Sequence, residues 1–327
     1  MKITSGAASA FMALLMLAAG AAWAQQERKT TVAVIPKGTT HIFWKSVHAG
    51  AVKAARESGV ELFWQGPQKE DDRKMQIEVV QNFVSRGVDA IVLAPLDSTA
   101  LVRPARAATA KNIKLVIIDS GLNSDDYSSF VASDNYKAGR VAAKRMAELI
   151  PPSGRLLMLR YAEGSESTMQ REKGFQDGMK ELAPGTVWVS DNQYGGVTSE
   201  SAFQAAQNLL NRFEQIDGIF TPNESTTFGM LRALQTSGRA GKVKFVGFDT
   251  SEPLLQGLRK GDIHGLTAQN PFKMGYVGVK TAVAAIRGEA IEKRIDTGVA
   301  MITAANIGEP EMRELVNPDL DRWLEGK

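Results

Sequence analysis

Cysteine is absent from the 327-residue chain. That excludes disulfides, thiolate nucleophiles, cysteine metal sites and lipid attachment through an N-terminal cysteine. Histidine is scarce: His41, His48 and His264 are the full complement, so neither a zinc centre nor a Ser-His-Asp triad is well supplied. The chain has no G-x-S-x-G, G-x-x-x-x-G-K, G-x-G-x-x-G or H-E-x-x-H, which removes the familiar local signatures of hydrolases, nucleotide-binding enzymes and metalloproteases. Lysine and arginine never run longer than two, and the formal net charge is only +3. A nucleic-acid footprint would need a basic stripe, so no nucleic-acid partner is expected. The apolar run at 11–17 (FMALLML) is too short to span a bilayer, and no comparable run follows it.

What remains is an ordinary globular composition, 43% hydrophobic and 23% charged, at a length that suits two domains. Lys2, the run at 11–17 and Ala22-Trp23-Ala24 form the charged, apolar and A-x-A parts of a secretory signal. Residues 1–24 are expected to be a cleavable signal peptide, cut after Ala24, leaving a soluble periplasmic protein.

Downstream, strand and helix patterns alternate. β-prone apolar runs are expected as strands at 31–36, 60–64, 88–94 and 114–118, with helices at 43–58, after Asp71 or Asp72, and at 98–111. A second round begins with a helix at 136–149. Strands follow at 155–159, 186–190, 216–221, 243–248 and 262–267, with helices between them and a last helix at 271–287. Such alternation implies βαβ units on parallel sheets. The chain also repeats itself. Val88-Asp89-Ala90-Ile91, followed by Pro95, matches Ile216-Asp217-Gly218-Ile219, followed by Pro222. Each is followed by a helix and then by an apolar strand that stops at an acid, Asp119 in the first round and Asp249 in the second. The expected fold is therefore α/β, with two doubly wound parallel-sheet lobes of one architecture.

Ligands of open parallel sheets bind beyond the carboxyl ends of strands. Collected there are Lys37, His41, Phe43 and Trp44 after the first strand, and Asp119 with Ser120. In the second round come Arg171, Tyr194, Asn223, Asp249 and Gln269, near Tyr161, Glu163 and Glu224. This mixture suits a sugar: vicinal hydroxyls match two-pronged Asp, Asn, Gln and Arg groups, and the C–H faces of a ring pack on aromatic rings. Each candidate has a plainer reading. Asp119 and Asp249 could cap the helices after them, and one of Phe43 and Trp44 belongs in the core. His41 could be an ordinary loop residue, Arg171 could pair with Glu163 or Glu166 on the surface, and 69–74 (KEDDRK) reads as a solvated loop.

In order, VAVIP with FW, VDAIVLAPLDS, VIIDS, VASDN, QREKGF, IDGIFTPNES, KFVGFDTS and TAQNP resemble the periplasmic substrate-binding proteins of ABC importers, in their ribose-binding branch, over about 31–303. The resemblance implies two lobes joined by a three-crossover hinge, with a first lobe of 25–133 plus 270–295 and a second of 134–269 plus 296–327. It implies a monosaccharide or sugar-like ligand held in the cleft, no cofactor and no catalysis. It implies ABC permease subunits as partners and a monomeric protein, with a chemoreceptor compatible as a further partner. By motif it gives Phe43 and Trp44 as first-lobe aromatics, Asp119 and Asp249 as hydroxyl acceptors, and Arg171, Asn223 and Gln269 as further ligand groups. A secreted carbohydrate-active enzyme and a repressor-type sugar sensor are the rival readings. Lys37 and His41 stand where ribose binders carry small or neutral groups, and Ser120 stands where they carry Arg. With Arg171, they raise the expectation of a sugar bearing a carbonyl, an acid or another acceptor-rich substituent.

Overall fold

A computed structural model describes residues 28–325, and the expected export signal lies outside the described residues. Two six-stranded sheets organise the chain. The first is built from β1 (Thr31–Ile35), β2 (Glu61–Trp64), β3 (Ala90–Leu93), β4 (Lys114–Ile118), β5 (Ser129–Ala132) and β11 (Arg294–Asp296), in the order β11-β5-β4-β3-β1-β2. The second uses β6 (Arg155–Arg160), β7 (Val187–Tyr194), β8 (Gly218–Phe220), β9 (Lys244–Phe248), β10 (Gly265–Gln269) and β12 (Val299–Ile302), in the order β12-β10-β9-β8-β6-β7. Apart from the edge strands β11 and β12, the two orders are the same 2-1-3-4-5 doubly wound path, so the repeat in the sequence is a repeat of architecture.

β12 departs from the all-parallel expectation, running antiparallel to β10. The link 297–298 explains it. β11 ends at the carboxyl edge of the first sheet, so a two-residue step delivers β12 to the same edge of the second, and it can only run away from it.

Strand burial on both faces accounts for the continuous apolar runs. β1 sends Val32 and Val34 into one core and Ala33 and Ile35 into another. The first of these cores is covered by α1 (Ile42–Ser58) and α9 (Pro271–Ile286), the second by α2 (Arg73–Arg86) and α3 (Val102–Thr109). In the second lobe α4 (Asn135–Leu149) and α5 (Glu166–Leu182) cover one face. The helices α6 (Ser199–Arg212), α7 (Glu224–Thr236) and α8 (Glu252–Lys260) cover the other.

The helix pair α4 and α5 sets the position of the site. A Cβ added at Gly139 would lie 2.0 Å from the Arg171 carbonyl oxygen, so only glycine lets α4 approach the backbone that carries Arg171. The chain passes between the sheets at 133–134, 270 and 297–298. Two of these links are tied together, because the Ser133 hydroxyl donates to the Gly298 carbonyl at 2.8 Å and lies 3.2 Å from the Thr297 hydroxyl. One part of the expected partition does not hold. α10 (Asp321–Leu324) lies against α1 of the first lobe rather than on the second, because its Trp323 meets the basic end of α1.

Candidate functional site

Asp119 and Asp249 each follow directly on an apolar strand, and both adopt left-handed backbone, with φ of 63° and 69°. Residues with a side chain adopt this region infrequently, aspartate and asparagine most readily. Each acid is held there by the neighbouring strand: the Asp119 amide donates to the Val131 carbonyl at 3.2 Å and the Asp249 amide to the Thr267 carbonyl at 3.0 Å. Neither caps the helix that follows it. Asp119 Oδ2 instead lies 2.8 Å from Lys37 Nζ. Asp249 accepts from Gln269 Nε2 at 2.9 Å and from the Glu224 amide, at the start of α7, at 2.8 Å. Strained backbone written twice, in equivalent places, marks these residues as the centre of the site.

Arg171 is 2% exposed and does not pair with Glu163 or Glu166. Its Nε donates to Asn135 Oδ1 at 2.8 Å, Nη1 to the Pro222 carbonyl at 3.0 Å and Nη2 to Gln269 Oε1 at 2.8 Å. The guanidinium carbon sits 4.4 Å from the centroid of the Phe248 ring. Three of its five N–H groups are thus committed to protein partners.

The first-lobe wall depends on a residue that the sequence reading set among solvated charges. Glu70 accepts from His41 Nδ1 at 2.8 Å, Trp44 Nε1 at 2.7 Å and, across the cleft, from the Tyr161 hydroxyl at 2.7 Å. The side chains of its neighbours Asp71 and Lys69 stay exposed. Trp44 is the core member of the aromatic pair, 2% exposed, and Phe43 meets its ring edge-on at 5.0 Å.

Lys37, His41, Phe43, Trp44, Asp119, Arg171, Asn223, Asp249 and Gln269 all line one cavity between the lobes, closed down to about 30 Å³. Two expected members do not line it. Ser120 is buried behind the wall, its hydroxyl accepting from the Ser167 amide at 2.9 Å. Tyr194 ends β7 at 36% exposure with Arg160 over its ring, because β7 extends beyond its expected end at 190 and carries Tyr194 along the sheet edge. Asn223 lines the cavity, yet its side-chain Oδ1 accepts from the Thr226 amide as the cap of α7. Tyr161 and Glu224, collected near strand ends in the sequence, also line it, as do Glu70, Ser165, Ser167 and Thr168, which the sequence did not single out as site residues. Tyr161 directly follows β6, whereas Glu224 opens α7 after the loop 221–223.

The lobes meet across this cavity. Lys37 Nζ donates to the Ser167 hydroxyl at 2.9 Å, and the Gly121 amide donates to Glu166 at 2.9 Å. Glu224 accepts from the Phe43 amide at 3.1 Å. It thereby caps α1 from the opposite lobe, where His41 makes no side-chain cap of its own.

Charges inside balance closely. Lys37, His41 and Arg171 face Glu70, Asp119, Glu224 and Asp249. Burial alone would lower the His41 pKa, but the Glu70 carboxylate outweighs it and holds His41 at about 9. Burial would likewise raise Glu70, and His41 and Lys37 hold it at about 2 instead. Burial pushes Glu224 and Asp249 up, against the pull of His41 on the first and of Arg171 on the second. A group whose folded pKa is raised stabilises fully below its unfolded value, and the gain is lost as pH climbs through the folded value. His41 should therefore add on the order of 3 kcal/mol up to about pH 6.5, fading to nothing above about pH 9. Urea unfolding at pH 6.5 and 9.5 checks this: the stability gap between wild type and His41→Asn should close at the higher pH, and a constant gap would contradict it.

Known proteins share this arrangement. A family model described as periplasmic binding protein domain matches residues 32–290. A carbohydrate transporter solute binding protein from Agrobacterium radiobacter, in complex with D-arabinose, is 34% identical, with 89% of this chain and 100% of that one covered at a TM-score of 0.86. An ABC transporter solute binding protein from Agrobacterium vitis with bound D-fucose is also 34% identical, covering 88% and 99% at a TM-score of 0.84. The D-ribose/D-allose-binding protein of Pseudomonas aeruginosa is 28% identical over 293 residues, 86% of this chain and 91% of that protein. With two doubly wound lobes closed on a polar cavity, this chain belongs to the periplasmic binding protein family, in its type I fold.

Proposed function

We propose that this protein captures an uncharged monosaccharide, or a sugar-like polyol, between its lobes in the periplasm and delivers it to the permease of an ABC importer. The observation that carries the reading is the pair of left-handed acids, Asp119 and Asp249, aimed with Arg171 into one small interlobe cavity. Acids, amides and a guanidinium set at fixed angles match vicinal hydroxyls, and hydrogen bonds to charged partners contribute about 1.5–3 kcal/mol each. Relatives that bind D-arabinose, D-fucose and D-ribose or D-allose support the same class of ligand.

The charge balance alters the expectation of an acidic sugar. Lys37 already faces Asp119 and His41 faces Glu70, so of the three cations only Arg171, whose hydrogen-bond partners are neutral, could meet a carboxylate on the ligand, which would add to four acids. Ligand contacts to both lobes would favour the closed arrangement only through their differential affinity for it. No group is assigned a chemical step, and a bound sugar should be recovered unchanged. ATP hydrolysis would fall to the transporter; the binding protein would act as a monomer.

A thermal-shift panel tests the reading, since a ligand of the native state raises its apparent stability. Neutral pentoses, hexoses and ketoses should include at least one that raises the midpoint by several degrees at millimolar concentration, while the matching uronic and aldonic acids do not. A shift with the acids alone would contradict the charge argument.

A further inference from the structure

Beyond β12 the chain crosses between the lobes once more, at a place none of the three links uses. A turn pins its start: Asn306 accepts from the Thr303 amide at 2.7 Å and donates to the Met301 carbonyl at 2.9 Å. Ile307, Met312, Leu315 and Val316 then pack on the core of the second lobe, and the Thr250 hydroxyl donates to the Leu315 carbonyl. Thr250 directly follows Asp249. The segment as far as residue 316 is thus part of the second lobe.

Seven residues later, at Trp323, it is part of the first. Arg56 Nη2 donates to the Trp323 carbonyl at 3.2 Å. Above the Trp323 ring stand Lys53 Nζ, 5.7 Å from its centroid, and the Arg56 guanidinium carbon at 5.8 Å. Both cations come from α1, the helix whose amino end is capped across the cleft by Glu224. Between Val316 and the helix Asp321–Leu324 that carries Trp323 lie only residues 317–320, one of them Pro318 with a fixed φ. They wall a chamber whose other side is formed by Phe43, Glu224, Asp249 and Gln269, four residues that also line the ligand cavity.

We propose that residues 303–325 form an interlobe strap, and that the Trp323 latch on α1 favours the closed state and so sets ligand affinity and release from outside the cavity. The inference rests on the reading that the cleft binds by closing. Because the link is short, a separation of the lobes has to loosen the latch or stretch 317–320. One hydrogen bond and two cation–π contacts at a half-exposed site amount to about 10-fold in an equilibrium constant.

The absence of native cysteine makes the test direct. Lys74→Cys and Met169→Cys place spin labels on exposed positions of α2 and α5, one on each lobe. The distance distribution is measured without added sugar. Trp323→Ala, and independently Arg56→Ala, should each raise the ratio of open to closed molecules by about 3- to 10-fold, since each removes part of the latch, and Trp323→Phe, which keeps a ring, should restore part of the loss. Dissociation constants for D-ribose, D-arabinose and D-fucose should rise by one common factor, leaving their ratios unchanged. An unaltered distribution in both alanine variants, or a shift toward the closed state, would overturn the strap. If none of these sugars binds, the distance measurement still decides the strap, and the failure belongs to the proposed ligand class.

Discussion

Arg171→Ala is expected to reduce sugar affinity by more than 100-fold and to cost about 3–5 kcal/mol of stability, as removal of one member of a buried charged network does. The guanidinium holds Asn135, the Pro222 carbonyl and Gln269 at once. Through Gln269 it reaches Asp249, and Asn135 in turn donates to the Asp119 carbonyl at 3.1 Å. One side chain therefore braces both acids, on opposite lobes. Losing it leaves Asp249 buried with its pKa already pushed up by desolvation and with Arg171, which opposes that push, gone. Arg171→Lys should rescue little, because an ammonium cannot reproduce a planar fork with three fixed partners. Calorimetric titration with denaturant unfolding checks both halves; an affinity within tenfold of wild type would remove Arg171 from the site.

Asp249→Asn should weaken binding about 10- to 100-fold while preserving the fold, the loss of one charge-assisted hydrogen bond. Asparagine keeps the shape and tolerates the left-handed backbone at φ 69°. Asp249→Ala should lose at least as much affinity and about 1–2 kcal/mol of stability besides, since alanine is strained there and the start of α7 loses its acceptor. The sequence reading alone would have expected the alanine variant to fold undisturbed, because a dihedral angle is not visible in KFVGFDTS. Equal stability of the two variants would show that the backbone at 249 relaxes without cost. Equal affinity of Asp249→Asn and wild type would show that the carboxylate does not meet the ligand.

The contrast between what could and could not be read has a physical basis. Two-face burial writes a strand as an unbroken apolar run, so the strands before Asp119 and Asp249 stood out, and with them the repeat and the two lobes. Asp119, Asp249, Arg171 and Gln269 were legible because strand ends and a helix start are fixed by local pattern. Glu70 was hidden for the opposite reason. In Lys69-Glu70-Asp71-Asp72-Arg73-Lys74 nothing local distinguishes the one side chain that turns inward to meet His41, Trp44 and Tyr161. Its partners lie at the start of α1 and beyond the end of β6, and only the folded chain brings them together.

The same gap misled the reading of charge. Lys37 and His41 carried no acid beside them in the sequence pattern, and Asp119 and Glu70 became visible as their partners only in space. Tyr194 and Ser120 were drawn in by position alone, the first displaced along an extended β7 and the second turned to serve the Ser167 amide.

The central claim is that two matched lobes close on one uncharged sugar. Calorimetric titration of the purified protein with the neutral monosaccharide that gives the largest thermal shift tests it most directly. The account predicts one site per chain with a dissociation constant in the micromolar range or tighter, lost in Arg171→Ala. Heatless titrations across the neutral panel, together with saturable binding of a sugar acid, would contradict it.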